Sequence, residues 1–252
     1  MDLKLNEYER LDDLQINNLK IIQNKKYFCF GVDSVLLANF VKSNKASNNI
    51  IDLCSGSGVI PILLTAKVKY SKIITVELQE EMYDLLKRNI EVNKLEDKVY
   101  ALNEDINNVK VIRDNLIEII SKDKADIITV NPPYKVVNTG IINENNIKYV
   151  ARYEYKCKLE DIFRTSSSLL NDGGKLYIVH KPERLVDLLE LSRKYKLEAK
   201  QLQVVYPRIN EKASLVLIEY VKNGGNELKV LPPLIEYNRD GKYISDVFTS
   251  KG

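Results

Sequence analysis

The chain has 252 residues, 38 Lys and Arg against 35 Asp and Glu, one His, three Cys and no Trp. Its 44% hydrophobic and 29% charged residues exclude a disordered or fibrous chain. The longest apolar run, around Val59–Ala66, falls far short of the roughly 20 residues that cross a bilayer, so no membrane partner is expected. The opening stretch MDLKLNEYERLDDL is charged throughout, which argues against a secretory signal peptide. Cys29, Cys54 and Cys157 are widely spaced, and with a single histidine, His180, they make neither a disulfide framework nor a zinc site. These features together predict a cytoplasmic, reduced protein without a metal.

In chain order, Leu14–Ile22 reads as two short strands about an Asn17-Asn18 turn, and Ser34–Val41 as a helix. Residues 1–48 are therefore expected to be an extension packed on a core domain formed by residues 49–252. From Asn49 onward, β-branched runs alternate with amphipathic segments. Strands are predicted at Asn49–Cys54, Lys72–Leu78, Lys98–Leu102, Ala125–Val130 and Lys175–Val179. Helices are predicted at Val59–Val68, Gln79–Lys94, Val109–Ile120, Leu159–Leu170 and Glu183–Tyr195. Apolar strands alternating with helices mean an α/β, doubly wound, Rossmann-like parallel sheet with helices on both faces. Gln201–Val205 and Ser214–Val221 have no helix between them and would close the sheet with an antiparallel edge. Lys135–Tyr149 is a long irregular connection of the kind that serves as a functional lid. The tail Asn223–Gly252 carries no pattern beyond edge packing.

Charge is unevenly spread. Glu77–Asp105 holds nine acidic residues against four basic ones. Lys20–Lys26 contains three lysines and no acid, and Lys135–Lys158 five basic residues against two acidic ones. Aromatic residues lie in and beside these basic stretches: Tyr27, Phe28, Tyr149, Tyr153 and Tyr155. Basic and aromatic residues interleaved in this way fit a polyanionic, base-stacking partner, and solvated loops are the competing reading.

Two motifs carry chemistry. The first, Asp52-Leu-Cys-Ser-Gly-Ser-Gly58, leaves a strand and enters a helix, where glycines let the backbone approach a ligand beneath helix N–H groups. The third glycine of a dinucleotide site is replaced by Pro61, which weakens the case for a pyrophosphate. Glu77 ends the next strand, 19 residues past Gly58, where a carboxylate accepts from ribose hydroxyls, and Asp105 adds a further acceptor on the same sheet edge. A glycine turn with two strand-end carboxylates suits an adenosine without phosphates, and S-adenosylmethionine adds a cation that such a site favours.

The second motif is Asn131-Pro-Pro-Tyr134 at the end of the fourth core strand. Two prolines cannot continue a sheet ladder, so the chain leaves the sheet stiffly where open α/β sheets place their ligands. The Asn131 amide, the Pro132 carbonyl and the Tyr134 ring would then stand in fixed relation, matching a planar substrate that bears an NH₂ group.

These motifs resemble those of class I S-adenosylmethionine-dependent methyltransferases with an Asn-Pro-Pro-Tyr motif. Within that group the chain is most similar to the bacterial tRNA adenine-N6 methyltransferases that act on position 37 of tRNA1(Val). The likeness covers Phe30-Gly-Val-Asp-Ser-Val-Leu-Leu-Ala38, Asp52–Gly58, Glu77, Asp105 and Asn131–Tyr134. It continues through Ala151-Arg-Tyr-Glu154, Leu159-Glu-Asp161 and Leu231-Pro-Pro-Leu234. The resemblance implies that Asp52, Cys54, Gly56, Gly58, Glu77, Asp105 and Asp33 line the cofactor pocket, while Asn131, Pro132 and Tyr134 hold the adenine. It also makes tRNA the partner, with Lys25, Lys26, Lys135, Lys148 and Arg152 as its candidate contacts. Cys54 stands where relatives commonly carry glycine, and Val32 where they often carry threonine. A protein glutamine-N5 methyltransferase would use the same motif, and a non-catalytic binding module is the reading from outside enzymes. His180 is expected to be structural rather than catalytic.

Overall fold

The computed structural model describes residues 4–27, 29–43, 47–134 and 157–238. The elements run β1 (Glu9–Asp13), β2 (Lys20–Asn24), α1 (Val32–Phe40), β3 (Asn49–Leu53), α2 (Val59–Lys67), β4 (Lys72–Glu77) and α3 (Glu80–Val92). They continue β5 (Val99–Asn103), α4 (Val109–Ile120), β6 (Ala125–Val130), α5 (Leu159–Leu169), β7 (Leu170–His180), a 3-10 turn (Pro182–Arg184) and α6 (Leu185–Lys194). The last strands are β8 (Leu197–Tyr206), β9 (Leu215–Lys222), β10 (Lys229–Val230) and β11 (Leu234–Ile235).

Nine strands form one sheet ordered β10-β8-β9-β7-β6-β3-β4-β5, with β11 also on β8. The pairings among β7, β6, β3, β4 and β5 are parallel, and β9 runs antiparallel to both β7 and β8. Strand alternation divides the core into two layers. Ile50, Ile73 and Ile127 face a cluster with Leu36 and Leu37 of α1, Ile62 and Leu64 of α2, and Leu86 and Ile90 of α3. Ile51, Leu53, Ile74, Val76 and Ile128 face the opposite cluster, with Ile112 of α4, Phe163 of α5 and Leu188 of α6. The expected doubly wound sheet with helices on both faces and an antiparallel C-terminal pair is what the structure contains. Among the described residues no helix is long and apolar enough to cross a membrane.

Three sequence expectations need correction. First, the N-terminal hairpin has its strands on either side of residues 14–19: the second of the two expected strands is β2, which runs on to Asn24, but the first lies upstream of Leu14, as β1 from Glu9 to Asp13. Gln15, Asn17 and Asn18 take positive φ (56°, 48° and 57°), so these residues form the loop. The Leu14 N–H closes that loop on the Leu19 carbonyl at 2.9 Å. Second, α1 starts at Val32, two residues before the predicted Ser34. Third, β8 is not the outermost strand: β10 and β11 of the tail pair with it in parallel, at Lys229–Gln201 and Leu234–Val205. A two-residue strand is too short for a hydrophobic period to announce it.

The hairpin is fixed to the domain through α3. Asn89, fully buried, accepts from the Ile22 N–H (2.6 Å) and donates to the carbonyls of Ile22 (3.1 Å) and Ser57 (2.9 Å). One helical turn on, Asn93 treats Lys20 in the same way, accepting its N–H at 2.8 Å and donating to its carbonyl at 2.7 Å. The outer edge of β2 thus pairs with two asparagine amides in place of another strand. Arg88 adds a bidentate bond to Glu9 at 2.7 and 2.8 Å. Asn89→Ala leaves one buried donor and two buried acceptors unpaired and should destabilise the protein by about 2–4 kcal/mol. Asn93→Ala, whose bonds to Lys20 are solvent-exposed, should cost about 1 kcal/mol or less in the same urea titration.

Candidate active site

The parallel pairing of β3 with β6 places Leu53 opposite Val130, and that of β3 with β4 places Leu53 opposite Val76. The segments starting at Cys54 and Asn131 therefore leave the sheet side by side, with Glu77 at the same level. β3 connects onward to β4 and β5 on one side, whereas β6 lies on the other. Their boundary is the switch point where open α/β sheets form a crevice.

The loop after β3 is held from several directions. Ser55 N–H donates to the Val76 carbonyl (3.1 Å), Ser55 Oγ to the Asp52 carbonyl (2.8 Å), and Gly58 N–H to the Ser55 carbonyl (2.9 Å). Gly56 and Gly58 take φ of 54° and 86°. A Cβ on Gly58 would stand 2.2 Å from Leu86 Cδ1, so this glycine answers to the packing of α3 as well as to the turn. Cys54 also takes a left-handed φ of 58°, a conformation that glycine adopts without steric cost. Its sulfur lies 3.5 Å from that of Cys157, where the described chain resumes. Helix α2 begins without a side-chain cap, and Pro61 brings no N–H. The Val59 and Ile60 N–H groups therefore have no acceptor within the helix.

Three carboxyl groups lie at or near the strand ends. Glu77 accepts from Gly56 N–H at 2.8 Å and from Gln79 N–H at 2.9 Å, while burial pushes its carboxyl above the ordinary range. Asp105 is half-buried and accepts the Asn107 N–H at 2.8 Å in the turn leading into α4. Asp52 is fully buried; its Oδ1 accepts from Thr129 Oγ1 of β6, and its Oδ2 has no partner among the described residues. Burial is the main cause that pushes Asp52 up to about 7, with Glu77 adding repulsion against the Thr129 and Ser55 hydrogen bonds. An unpartnered buried acceptor, a second buried carboxyl and free helix N–H groups form a donor and acceptor set that fits a ligand carrying both a cation and ribose hydroxyls.

On the β6 side the chain runs through Asn131, a buried Pro132, Pro133 and Tyr134. Asn131 Nδ2 donates to Ser34 Oγ at 2.9 Å, which fixes the amide with Oδ1 turned toward Tyr134. The Tyr134 hydroxyl lies 2.5 Å from Asn131 Oδ1 and 3.1 Å from Asp33 Oδ2. Burial, then the Asp33 charge and hydrogen bond, hold this phenol well above its usual range, so it stays protonated. His180 meets the Tyr134 ring edge-on with centroids 5.2 Å apart, and Lys181 Nζ lies 5.4 Å from the ring centroid. His180 Nδ1 accepts the Lys181 N–H at 2.8 Å, and burial pulls the imidazole down to about 4, leaving it neutral at pH 7.

The structure therefore gathers Asn131, Tyr134 and Asp33 into one cluster, and Cys54, Gly56, Gly58 and Glu77 into another beside it. Asp33 touches Tyr134, and Asp52 lies beneath the glycine loop rather than on its surface. Lys25 and Lys26 are exposed between β2 and α1, with Lys26 Nζ 3.5 Å from the Tyr8 ring centroid. Lys135, Lys148 and Arg152, and the expected lid, lie outside the described residues. Sequence reasoning missed Ser34, Thr129 and Asn89 as supporting residues, and it did not foresee His180 against Tyr134. His180 ends β7, the parallel neighbour of β6, and that position was the available signal. Thr129 and Asn89 belong to neither chemical motif, and Ser34 lies in the Phe30–Ala38 stretch without a signal of its own, because hydroxyl and amide side chains show their partners only in the folded chain.

Residues 19–196 match the family model of the methyltransferase small domain. The chain belongs to this family. A tRNA1(Val) (adenine(37)-N6)-methyltransferase of Flavobacterium johnsoniae is 21% identical over 225 residues, which span 89% of this chain and 92% of that protein. A release factor glutamine methyltransferase of Clostridium botulinum is 31% identical over 143 residues, 53% of this chain and 47% of that protein. Among solved structures, a predicted O-methyltransferase from Agrobacterium tumefaciens superposes with a TM-score of 0.66 at 20% identity, covering 86% of this chain and 95% of that one. That likeness shows the Rossmann-like methyltransferase fold. Family and donor set together assign S-adenosylmethionine as the methyl donor.

The buried Asp52 gives a pH test. Its carboxyl moves from about 3.8 in an unfolded chain to about 7 in the folded one. Between these values the folded protein keeps a proton that the unfolded chain has released, so this contribution to stability is lost as pH rises toward 7. The ligand-free Asp52→Asn variant should therefore gain on the wild type as pH rises from about 4 to 7, by on the order of a few kcal/mol. Urea midpoints across that range check it, and a constant difference contradicts it.

Proposed function

We propose that this protein methylates the exocyclic N6 of an adenine in tRNA, with position 37 of tRNA1(Val) as the specific target. The observation that supports the reading is the Asn131 amide, fixed by Ser34 with its oxygen turned to Tyr134, on a segment that leaves the sheet beside the glycine loop. The relative named for that reaction also aligns along nearly its whole length, whereas the release factor enzyme aligns over about half of its own.

The amine of adenine is a poor nucleophile because its lone pair is delocalised into the ring. Asn131 Oδ1 and the Pro132 carbonyl accept its two N–H hydrogens and favour a pyramidal nitrogen, which frees the lone pair. Bound S-adenosylmethionine supplies an electrophilic methyl group on a sulfonium. Gly56, Glu77 and Asp105 orient the donor, and the carboxyl groups favour its cation. The Tyr134 ring holds the base; Lys181 lies over that ring, so a stacking base takes the uncovered face or displaces the ammonium. The surplus proton leaves to water after the nitrogen has become cationic. No general base is required, and His180, neutral and tied to the backbone, serves as packing for Tyr134. Positioning and preorganised dipoles then supply most of the acceleration. An adenine in an anticodon loop is partly unstacked already, which lowers the energy needed to extrude it. Lys25 and Lys26, with Lys135, Lys148 and Arg152, are the proposed contacts to the RNA backbone.

A second reading has its own support: the release factor enzyme is 31% identical over its matched region, and a glutamine amide presents the same two N–H hydrogens. Incubation with labelled S-adenosylmethionine, offering unmodified bulk tRNA or release factor, separates the two. Label in N6-methyladenosine after nuclease digestion is the expected result, and label only in the protein transfers the assignment to glutamine. Asn131→Ala should lower kcat by about 10²–10³ with the affinity for S-adenosylhomocysteine unchanged. Equal loss of both rejects the role given to Asn131.

A further inference from the structure

The Tyr134 hydroxyl stands between two acceptors, Asn131 Oδ1 at 2.5 Å and Asp33 Oδ2 at 3.1 Å. A phenol has one hydrogen to donate, while an amide oxygen and a carboxylate oxygen only accept, so that hydrogen serves one of them at a time or is divided between them. Asn131 Oδ1 is also the oxygen that the proposed reaction needs for the substrate amine. The amide cannot turn to offer a different atom, because Nδ2 is committed to Ser34 Oγ at 2.9 Å. Ser34 is itself buried at the start of α1, its N–H donating to Asp33 Oδ1 at 2.8 Å. The amide oxygen accepts along two directions, and Tyr134 already fills one of them. A hydrogen bond there also withdraws electron density and makes the oxygen a weaker acceptor for a second donor. A carboxylate such as Asp33 is a stronger acceptor than an amide oxygen, and its Oδ2 is within hydrogen-bond reach of the hydroxyl.

We infer that Asp33 is a positioning residue, which takes the Tyr134 hydroxyl hydrogen when an amine N–H arrives at Asn131 Oδ1. The hydroxyl turns from one acceptor to the other, no covalent bond changes, and Asn131 meets the substrate with its full acceptor strength. The inference rests on the role proposed for Asn131 and assigns Asp33 to the acceptor side of the reaction rather than to the cofactor pocket.

The test is a double-mutant cycle on the full chain. Asp33→Ala leaves the hydroxyl with Asn131 Oδ1 alone and should lower kcat/KM for the methyl acceptor roughly tenfold to a hundredfold, the worth of one charge-assisted hydrogen bond. In a Tyr134→Phe background no hydroxyl competes, so the same Asp33→Ala change should have no further effect. The affinity for S-adenosylhomocysteine, measured by calorimetry, should be the same with and without Asp33. Equal losses from Asp33→Ala in the two backgrounds overturn the inference, as does weakened S-adenosylhomocysteine binding with an unaltered acceptor KM. If the wild type methylates the release factor and not tRNA, the proposed substrate falls. The cycle on that acceptor still decides the role of Asp33, since a glutamine amide meets the same oxygen. A readout that needs no acceptor is the Tyr134 ¹³Cζ resonance, which should move on Asp33→Ala; an unmoved resonance also overturns the inference.

Discussion

The in-register pairing of β3 with β6 is the constraint on which the rest of the site depends. With Leu53 opposite Val130, the glycine loop and the diproline corner start from adjacent strands at the same height. A slip of one residue would leave Asp52 and Thr129 on opposite faces of the sheet and put the two segments at different heights. The register is protected because β3 is buried along its whole length and feeds both hydrophobic layers, Ile50 to one and Ile51 and Leu53 to the other. The Asp52–Thr129 hydrogen bond crosses the same pair of strands and ties the polar part of the site to its scaffold.

Electrostatically, burial works against two carboxyl groups of the site. Asp52 and Glu77 are both buried, and burial raises both carboxyls. Glu77 recovers part of that desolvation through the Gly56 and Gln79 N–H groups, whereas Asp52 Oδ2 recovers none from the described residues. A positive charge placed beside these groups would favour their ionised forms. His180 shows the same physics with the opposite sign, since burial keeps it neutral and leaves it suited to packing against Tyr134.

The first forty residues take part in the site. Helix α1 brings Ser34 and Asp33 against Asn131 and Tyr134, and β2 is tied through Asn89 to the carbonyl of Ser57 in the glycine loop. The exposed Lys25 and Lys26 sit on the connection between those two elements.

Hydrophobic alternation and helical spacing, read from the sequence alone, determined the parallel core and its helices: Ala125–Val130 and Val109–Ile120 were legible to the residue because they are long and periodic. The two motifs were legible because glycine and proline restrict the backbone wherever they stand. Tertiary structure alone decided which side chains serve them. The fixing of Asn131 by Ser34, the contact of the Tyr134 hydroxyl with Asp33, and the capping of β2 by Asn89 join residues 67 to 101 positions apart. A hydroxyl or an amide has no preferred partner until the chain has folded around it. The Asn17-Asn18 turn was legible, whereas β1 at Glu9–Asp13 and the short tail strands escaped the sequence reading, since a charged strand and two-residue strands leave no hydrophobic period to detect.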